Sequence, residues 1–219
     1  TQKVFNLCAE HRVPKIIVLS SADVYGPHPA NNQFLQEDAP LMGGQNFGQI
    51  RDLIALDMFC NTFFWRHPEI ETVILRPVHI VGRVNNAVSR FLRLERPIKI
   101  MGFDPMVQLI HVEDVVTSIE RALTPGVRGV YNIAGPSPVP LSLLIDKLGR
   151  DPISLPEPIA RMMLEAGWSL KLSDWPVPEV DHIKYVCMVD DSRAREQLGF
   201  SHDYSVDDII EDVQSLSLL

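Results

Sequence analysis

The chain has 219 residues, 46% of them apolar, and carries a net charge of −8 from 20 basic and 28 acidic side chains. That size allows one domain, or one domain and a small lobe. The acidic balance argues against nucleic acid as a partner, which calls for a basic patch. No apolar run approaches the roughly 18 residues of a membrane-spanning helix.

From the N-terminus, Val4, Leu7 and Cys8 fall at helical spacing and predict a helix over residues 1–11, ended by Val13-Pro14. Ile16 to Leu19 is a short, continuous, β-branched apolar run, the pattern of a strand buried on both faces of a parallel sheet. Ser20 and Ser21 stand at its carboxyl end, where open α/β sheets bind ligands. A hydroxyl there can hold a substrate oxygen, or it can simply cap or turn the chain. Residues 27–46 are rich in Pro, Asn and Gly and read as a surface loop, either functional or a plain connector. Residues 47–66 read as a helix with Ile50, Leu53, Ile54 and Met58 on its apolar face; Phe47 and Arg51, four apart, share a face. Met58, Phe59, Phe63 and Phe64 suit a homodimer contact or a core equally well.

Glu71 to Pro77 predicts a second buried strand, and His79 just beyond it is a side chain that titrates near neutrality. An amphipathic segment with Asn85 and Asn86 at its start follows, and Asp114 can cap a helix. Met162, Met163, Trp168 and Trp175 sit among prolines, where they either pack a lobe or cover a substrate mouth. Ser205 and Asp208 have capping-box spacing at the start of a last helix. The cysteines, Cys8, Cys60 and Cys187, are odd in number and widely spaced, and the seven histidines are dispersed. Neither set has metal-ligand or disulfide-framework spacing, so no metal site is expected and a reducing cytoplasm is the expected location.

Several of these segments together resemble the extended short-chain dehydrogenase/reductase family, the NAD-dependent sugar-nucleotide epimerases and dehydratases. They are Ser20-Ser21-Ala22-Asp23-Val24-Tyr25-Gly26 after the first strand, Glu37-Asp38-Ala39-Pro40, Phe47-Gly48-Gln49-Ile50-Arg51 opening the helix, Arg76-Pro77-Val78-His79 after the second strand, and Asp190 to Phe200 near the end. The resemblance implies α/β architecture: the C-terminal part of a Rossmann-type parallel sheet with a small α/β substrate lobe, including a short strand over 97–102, a strand turning into a helix over 107–115 that Asp114 caps, a strand over 129–135 and a helix over 138–149. It splits the chain into residues 1–82, the second part of a dinucleotide-binding domain, and 83–219, the remaining sheet elements and the lobe. It implies NAD or NADP as cofactor, with Ser20, Arg51, Pro77 and Val78 in cofactor positions. A nucleotide sugar is the implied substrate, with Ser21, His79 and Asn85 beside it.

Ser21, Phe47 and Arg51 stand in the catalytic places. There the family has serine, a tyrosine that exchanges a proton with the substrate, and a lysine that tunes it. Phenylalanine has no proton to give, a loss commonly worth ~10²–10⁴ in rate; arginine keeps the charge with different geometry. Tyr25, Asp52, His79 and His111 are the other groups that can carry a proton. The glycine-rich pyrophosphate loop of the family has no counterpart among the 12 glycines. The expectation is therefore that the chain is a fragment, or that the family's first half is supplied elsewhere, or that it has been lost. Two functions follow: an epimerase- or dehydratase-like oxidoreductase with impaired catalysis, possible as a homodimer through the 47–66 helix, or a non-catalytic ligand-binding protein on the same scaffold.

Overall fold

The computed structural model describes residues 1–45, 48–169 and 180–215. Helix α1 (Gln2–Glu10) leads into strand β1 (Lys15–Leu19), helix α2 (Gly48–Arg66) and strand β2 (Glu71–Pro77). Strand β3 (His79–Val81), helix α3 (Ala87–Arg93), strands β4 (Ile98–Ile100), β5 (Met106–Val107) and β6 (Leu109–His111), and helix α4 (Val112–Ala122) come next. Strands β7 (Gly129–Ile133) and β8 (Val139–Pro140), helix α5 (Leu141–Lys147), strand β9 (Ile153–Leu155) and helices α6 (Glu157–Ser169) and α7 (Val206–Ser215) complete the order.

The organising sheet is parallel, with strand order β1-β2-β7. Ile17 pairs with Val73 and Leu19 with Leu75, while Leu75 pairs on its other side with Tyr131. β2 is central and its apolar run is buried almost throughout, because side chains alternate to two covered faces. On one face Ile16, Val18, Ile74 and Val130 meet Phe5 of α1 and Cys60 and Phe63 of α2. On the other, Val73, Leu75, Tyr131 and Ile133 meet Val115 and Ala122 of α4 and Ala194, Leu198 and Phe200 near the C-terminus. β1 departs from its expected full burial: its residues are half-buried and Leu19 is 45% exposed. The reason is topological. Only β2 pairs with β1 among the described residues, so β1 is an edge strand.

A second apolar cluster draws Phe91, Leu92, Ile100, Leu144, Ile145, Ile209 and Val213 together from α3, β4, α5 and α7. The capping box forms as its spacing predicts: the Ser205 N–H donates to Asp208 Oδ2 (2.7 Å), and the Asp208 N–H donates to Ser205 Oγ (3.3 Å). The cap of α4 is not the expected one. His111 is its N-cap, with Nδ1 accepting from the Glu113 N–H, and Asp114 sits buried in the first turn, accepting from the Asp203 N–H (2.8 Å). Among the described residues no helix is long and apolar enough to cross a membrane. Met162 and Met163 on α6 are exposed; Trp175 and the Trp168 side chain lie outside the described residues.

The polar core is built around a buried ion pair. Arg76, at the end of β2, donates from Nε and Nη2 to the two oxygens of Asp57 on α2 at 2.9 and 2.6 Å, a bidentate pair with both residues at most 2% exposed. Arg76 Nη1 also donates to the Tyr25 hydroxyl (2.7 Å) and the Glu37 carbonyl (2.9 Å). Tyr25 in turn donates to Asn132 Oδ1 (2.7 Å), and Asn132 Nδ2 donates to the Leu35 and Asp190 carbonyls. Each buried polar side chain of this network therefore has a hydrogen-bonded partner within it. The 27–46 segment is thereby not a plain surface loop: Leu35 is buried, and it bridges to Val189.

Candidate functional site

The carboxyl ends of β1 and β2 open into a cavity of about 220 Å³. Its walls come from the turn after β1 (Ser21, Asp23), the β2–β3 junction (Pro77, Val78, His79) and the start of α3 (Asn86, Val88), with His182 reaching in from the C-terminal part. The local chain explains the convergence. Ser21 is extended (φ −152°, ψ 152°) and caps a single turn of 3-10 helix, its Oγ accepting from the Asp23 N–H at 3.1 Å. That turn aims Asp23 toward His79, and Asp23 Oδ1 stands 3.7 Å from His79 Nδ1. The His182 ring lies edge-on to His79 with centroids 5.6 Å apart. Gly26 (φ +76°) closes the turn where only glycine fits, since a Cβ would come within 2.5 Å of the Gly43 Cα.

Burial is the largest influence on Asp23 and acts upward, yet the imidazoles of His79 and His182 and the Ser21 hydroxyl together hold its carboxyl below the usual carboxylate range. Burial pushes the His182 imidazole below the usual histidine range, only partly offset by Asp23. Burial pushes the Tyr25 phenol up to about 12, against the pull of Arg76.

The residues expected at the site divide. Ser21, Pro77, Val78 and His79 line the cavity together. Ser20 lines it too, but its hydroxyl is committed to Asp57 (2.7 Å), which ties the floor to the buried ion pair. Arg51 is exposed, does not line the cavity, and donates from Nε to the Gly44 carbonyl (2.8 Å). Asn85 is exposed; the asparagine on the cavity is Asn86, which caps α3 by accepting from Ser89 and donates to the Ile80 carbonyl. Phe47 lies outside the described residues. Of the alternative proton carriers, Tyr25 is buried and fully bonded, and Asp52 is exposed on α2. His111 is bonded to Asp212 (3.0 Å) and stacked on Tyr204. His79 alone of the four lines the cavity. Asp23 and His182 were not foreseen as site residues. Asp23 sits within the serine motif, where its neighbours carry the recognisable signal, and His182 has no local pattern to mark it.

The sequence profile described as the NAD dependent epimerase/dehydratase family matches residues 1–134. The chain belongs to that family. Curated relatives include an uncharacterized protein of Mycobacterium tuberculosis, 24% identical over 201 residues covering 91% of this chain and 54% of the relative. Protein YeeZ of Escherichia coli is 25% identical over 206 residues, covering 93% of this chain and 63% of the relative. The chain thus spans between about half and two thirds of the length of these relatives. Among solved structures, a UDP-glucuronic acid 4-epimerase of Bacillus cereus, in complex with UDP-glucuronic acid and NAD, superposes with a TM-score of 0.72 at 18% identity over 99% of this chain and 65% of that one. A dTDP-glucose 4,6-dehydratase of Bacillus anthracis in complex with NAD gives 0.71 at 15% identity over 98% and 65%. These two establish the α/β, Rossmann-type fold.

The residues present fit the nicotinamide end of the cofactor this family implies. Ile50, Pro77, Val78, Ile80 and Val88 give a flat ring an apolar wall, and Ser21 and Asn86 border it with polar groups. Arg51, the residue expected at the ribose, donates from Nε to the Gly44 carbonyl.

Proposed function

We propose that this chain carries the reaction end of an NAD(P)-dependent, epimerase- or dehydratase-like oxidoreductase whose substrate is a nucleotide sugar. The observation that carries the reading is the cavity at the carboxyl ends of two parallel strands, bordered by Ser21, Pro77, Val78 and His79. The cofactor, when bound, takes up and returns a hydride. Pro77 and Val78 would hold its nicotinamide end, Ser20 would brace that floor and Arg51 would reach its ribose. The Ser21 hydroxyl holds the substrate oxygen, with Asn85 and Asn86 at the sugar side. Because Phe47 has no proton to exchange, charge developing on that oxygen falls to the Asp23–His79–His182 cluster. Residues 1–82 form the cofactor side in this reading and 83–219 the substrate side. A cytoplasmic location belongs to the same proposal, as does pairing of two copies through α2. Phe59 and Phe63 pack inward against Phe5, so the exposed Met58 and Trp65 would supply the apolar contact.

A second reading, a ligand-binding protein without turnover, is favoured by phenylalanine in the tyrosine place and by the hydrogen bond that holds Arg51 to Gly44. Calorimetry with NAD⁺, NADH, NADP⁺ and NADPH, followed by turnover assays with UDP-glucose and UDP-glucuronic acid, separates the two. The oxidoreductase reading expects binding and turnover, with Ser21→Ala lowering kcat/KM by roughly 10–100-fold, the worth of a hydrogen bond to a charged group. Binding without turnover selects the second reading. Absence of nucleotide binding, both here and in any longer form of the same gene, sinks the first.

A further inference from the structure

Three side chains in the cavity wall have no settled partner in one another. Asp23, His79 and His182 come from the turn after β1, the start of β3 and the segment after residue 180. One donor atom from each lies within 4.8 Å of the other two. Asp23 Oδ1 and His79 Nδ1 are 3.7 Å apart, longer than a hydrogen bond, so these two face one another without closing a bond. All three are half-buried, so water is thinned around them. No lysine or arginine lines the cavity among the described residues; the Asp23 carboxylate faces the two imidazoles, with the Ser21 hydroxyl and the Cys187 thiol close by.

We propose that Asp23, His79 and His182 form a site for a divalent transition-metal cation, with Zn²⁺ as its archetype. Two imidazoles and one carboxylate are the donor set of zinc centres that keep a fourth position open. Imidazole nitrogens select such metals over Mg²⁺ and Ca²⁺, which take oxygen shells. Around a four-coordinate ion with bonds of about 2.0–2.2 Å, neighbouring donors stand about 3.4 Å apart. The present separations of up to 4.8 Å close to that by side-chain rotations of roughly 1 Å each, with the backbone in place. The open position faces the cavity, where Ser21 stands. An ion there would polarise a hydroxyl or carbonyl oxygen of whatever ligand the cavity holds. The ordinary spacing rules for metal ligands are blind to this set, because its members are scattered across the sequence.

Metal binding is measurable without nucleotide or substrate, so its outcome is independent of the oxidoreductase reading. Calorimetric titration of the metal-stripped chain with ZnCl₂ is expected to show one equivalent bound. His79→Ala and His182→Ala should each weaken it by ~100-fold or more, the upper end of what losing an outer-shell partner alone costs. His202→Ala, an exposed histidine elsewhere, should leave it unchanged. Far-UV circular dichroism checks that the variants fold. If they do not, the Co²⁺ complex of the unaltered chain reports the ligands directly. Paramagnetically shifted resonances of two imidazoles support the site. A thiolate-to-cobalt charge-transfer band would put the metal on cysteine and overturn the proposal. Failure to bind Zn²⁺, or binding indifferent to both histidine substitutions, would overturn it as well.

Discussion

At the residue scale the decisive feature is the buried Arg76–Asp57 pair. Its two charges are removed from water, so each is tolerable only because the other is present. Asp57→Ala leaves the guanidinium buried without its counter-charge and should cost about 3–5 kcal/mol in urea unfolding. It should also release the Ser20 hydroxyl, which donates to the same carboxylate. Tyr25→Phe is gentler: it removes the hydroxyl that accepts from Arg76 and donates to Asn132, and a loss of about 1–3 kcal/mol is expected in the same measurement. Neither side chain advertises this role in the sequence. Asp57 looks like an ordinary acidic position within an amphipathic helix, and its partner comes from the next strand. Tyr25, which by residue type can carry a proton, is a structural tyrosine here: its proton is held in hydrogen bonds and its phenol is pushed up to about 12.

At the element scale the chain is largely legible where local chemistry decides. The Ser205–Asp208 capping box forms as spacing predicts, and Ser205→Ala should cost about 0.5–2 kcal/mol, read as a lowered urea midpoint at unchanged slope. Asp114 suits the α4 cap by its position in the sequence, but the structure places it in the first turn. His111 instead occupies the cap, as its imidazole is oriented from the other side by Asp212 and the Tyr204 ring. That leaves Asp114 to accept from Asp203. The half-burial of β1 among the described residues has a related reason: an apolar run reports affinity for a sheet interior, not a strand's place in the sheet order.

At the scale of the whole molecule, alkaline pH tests how the core holds neutral acids. Burial, reinforced by Asp57, pushes the Cys60 thiol up from 9 to about 12, and burial also raises Tyr131. A raised pKa in the folded state means that the unfolded chain releases its proton first. The associated stability is complete below pH 9 and is lost as pH climbs toward 12. Unfolding free energy measured by urea titration should therefore fall across that window, by on the order of a few kcal/mol for Cys60. Cys60→Ala should flatten the fall.

The sequence by itself determined the order and kind of most elements, the parallel strands with serines at a carboxyl end, and the family. Hydrophobic period, turn residues and caps act between neighbours in the chain, and so they are written there. Only the tertiary structure decided that, among the described residues, β2 is central and β1 pairs on one side, that Ser20 is tied to a buried carboxylate, and that Arg51 donates to the Gly44 carbonyl. It alone brings His182 beside Asp23 and His79. Those outcomes depend on which surfaces meet after the chain has folded, and no local pattern of residues encodes a meeting between segments so far apart.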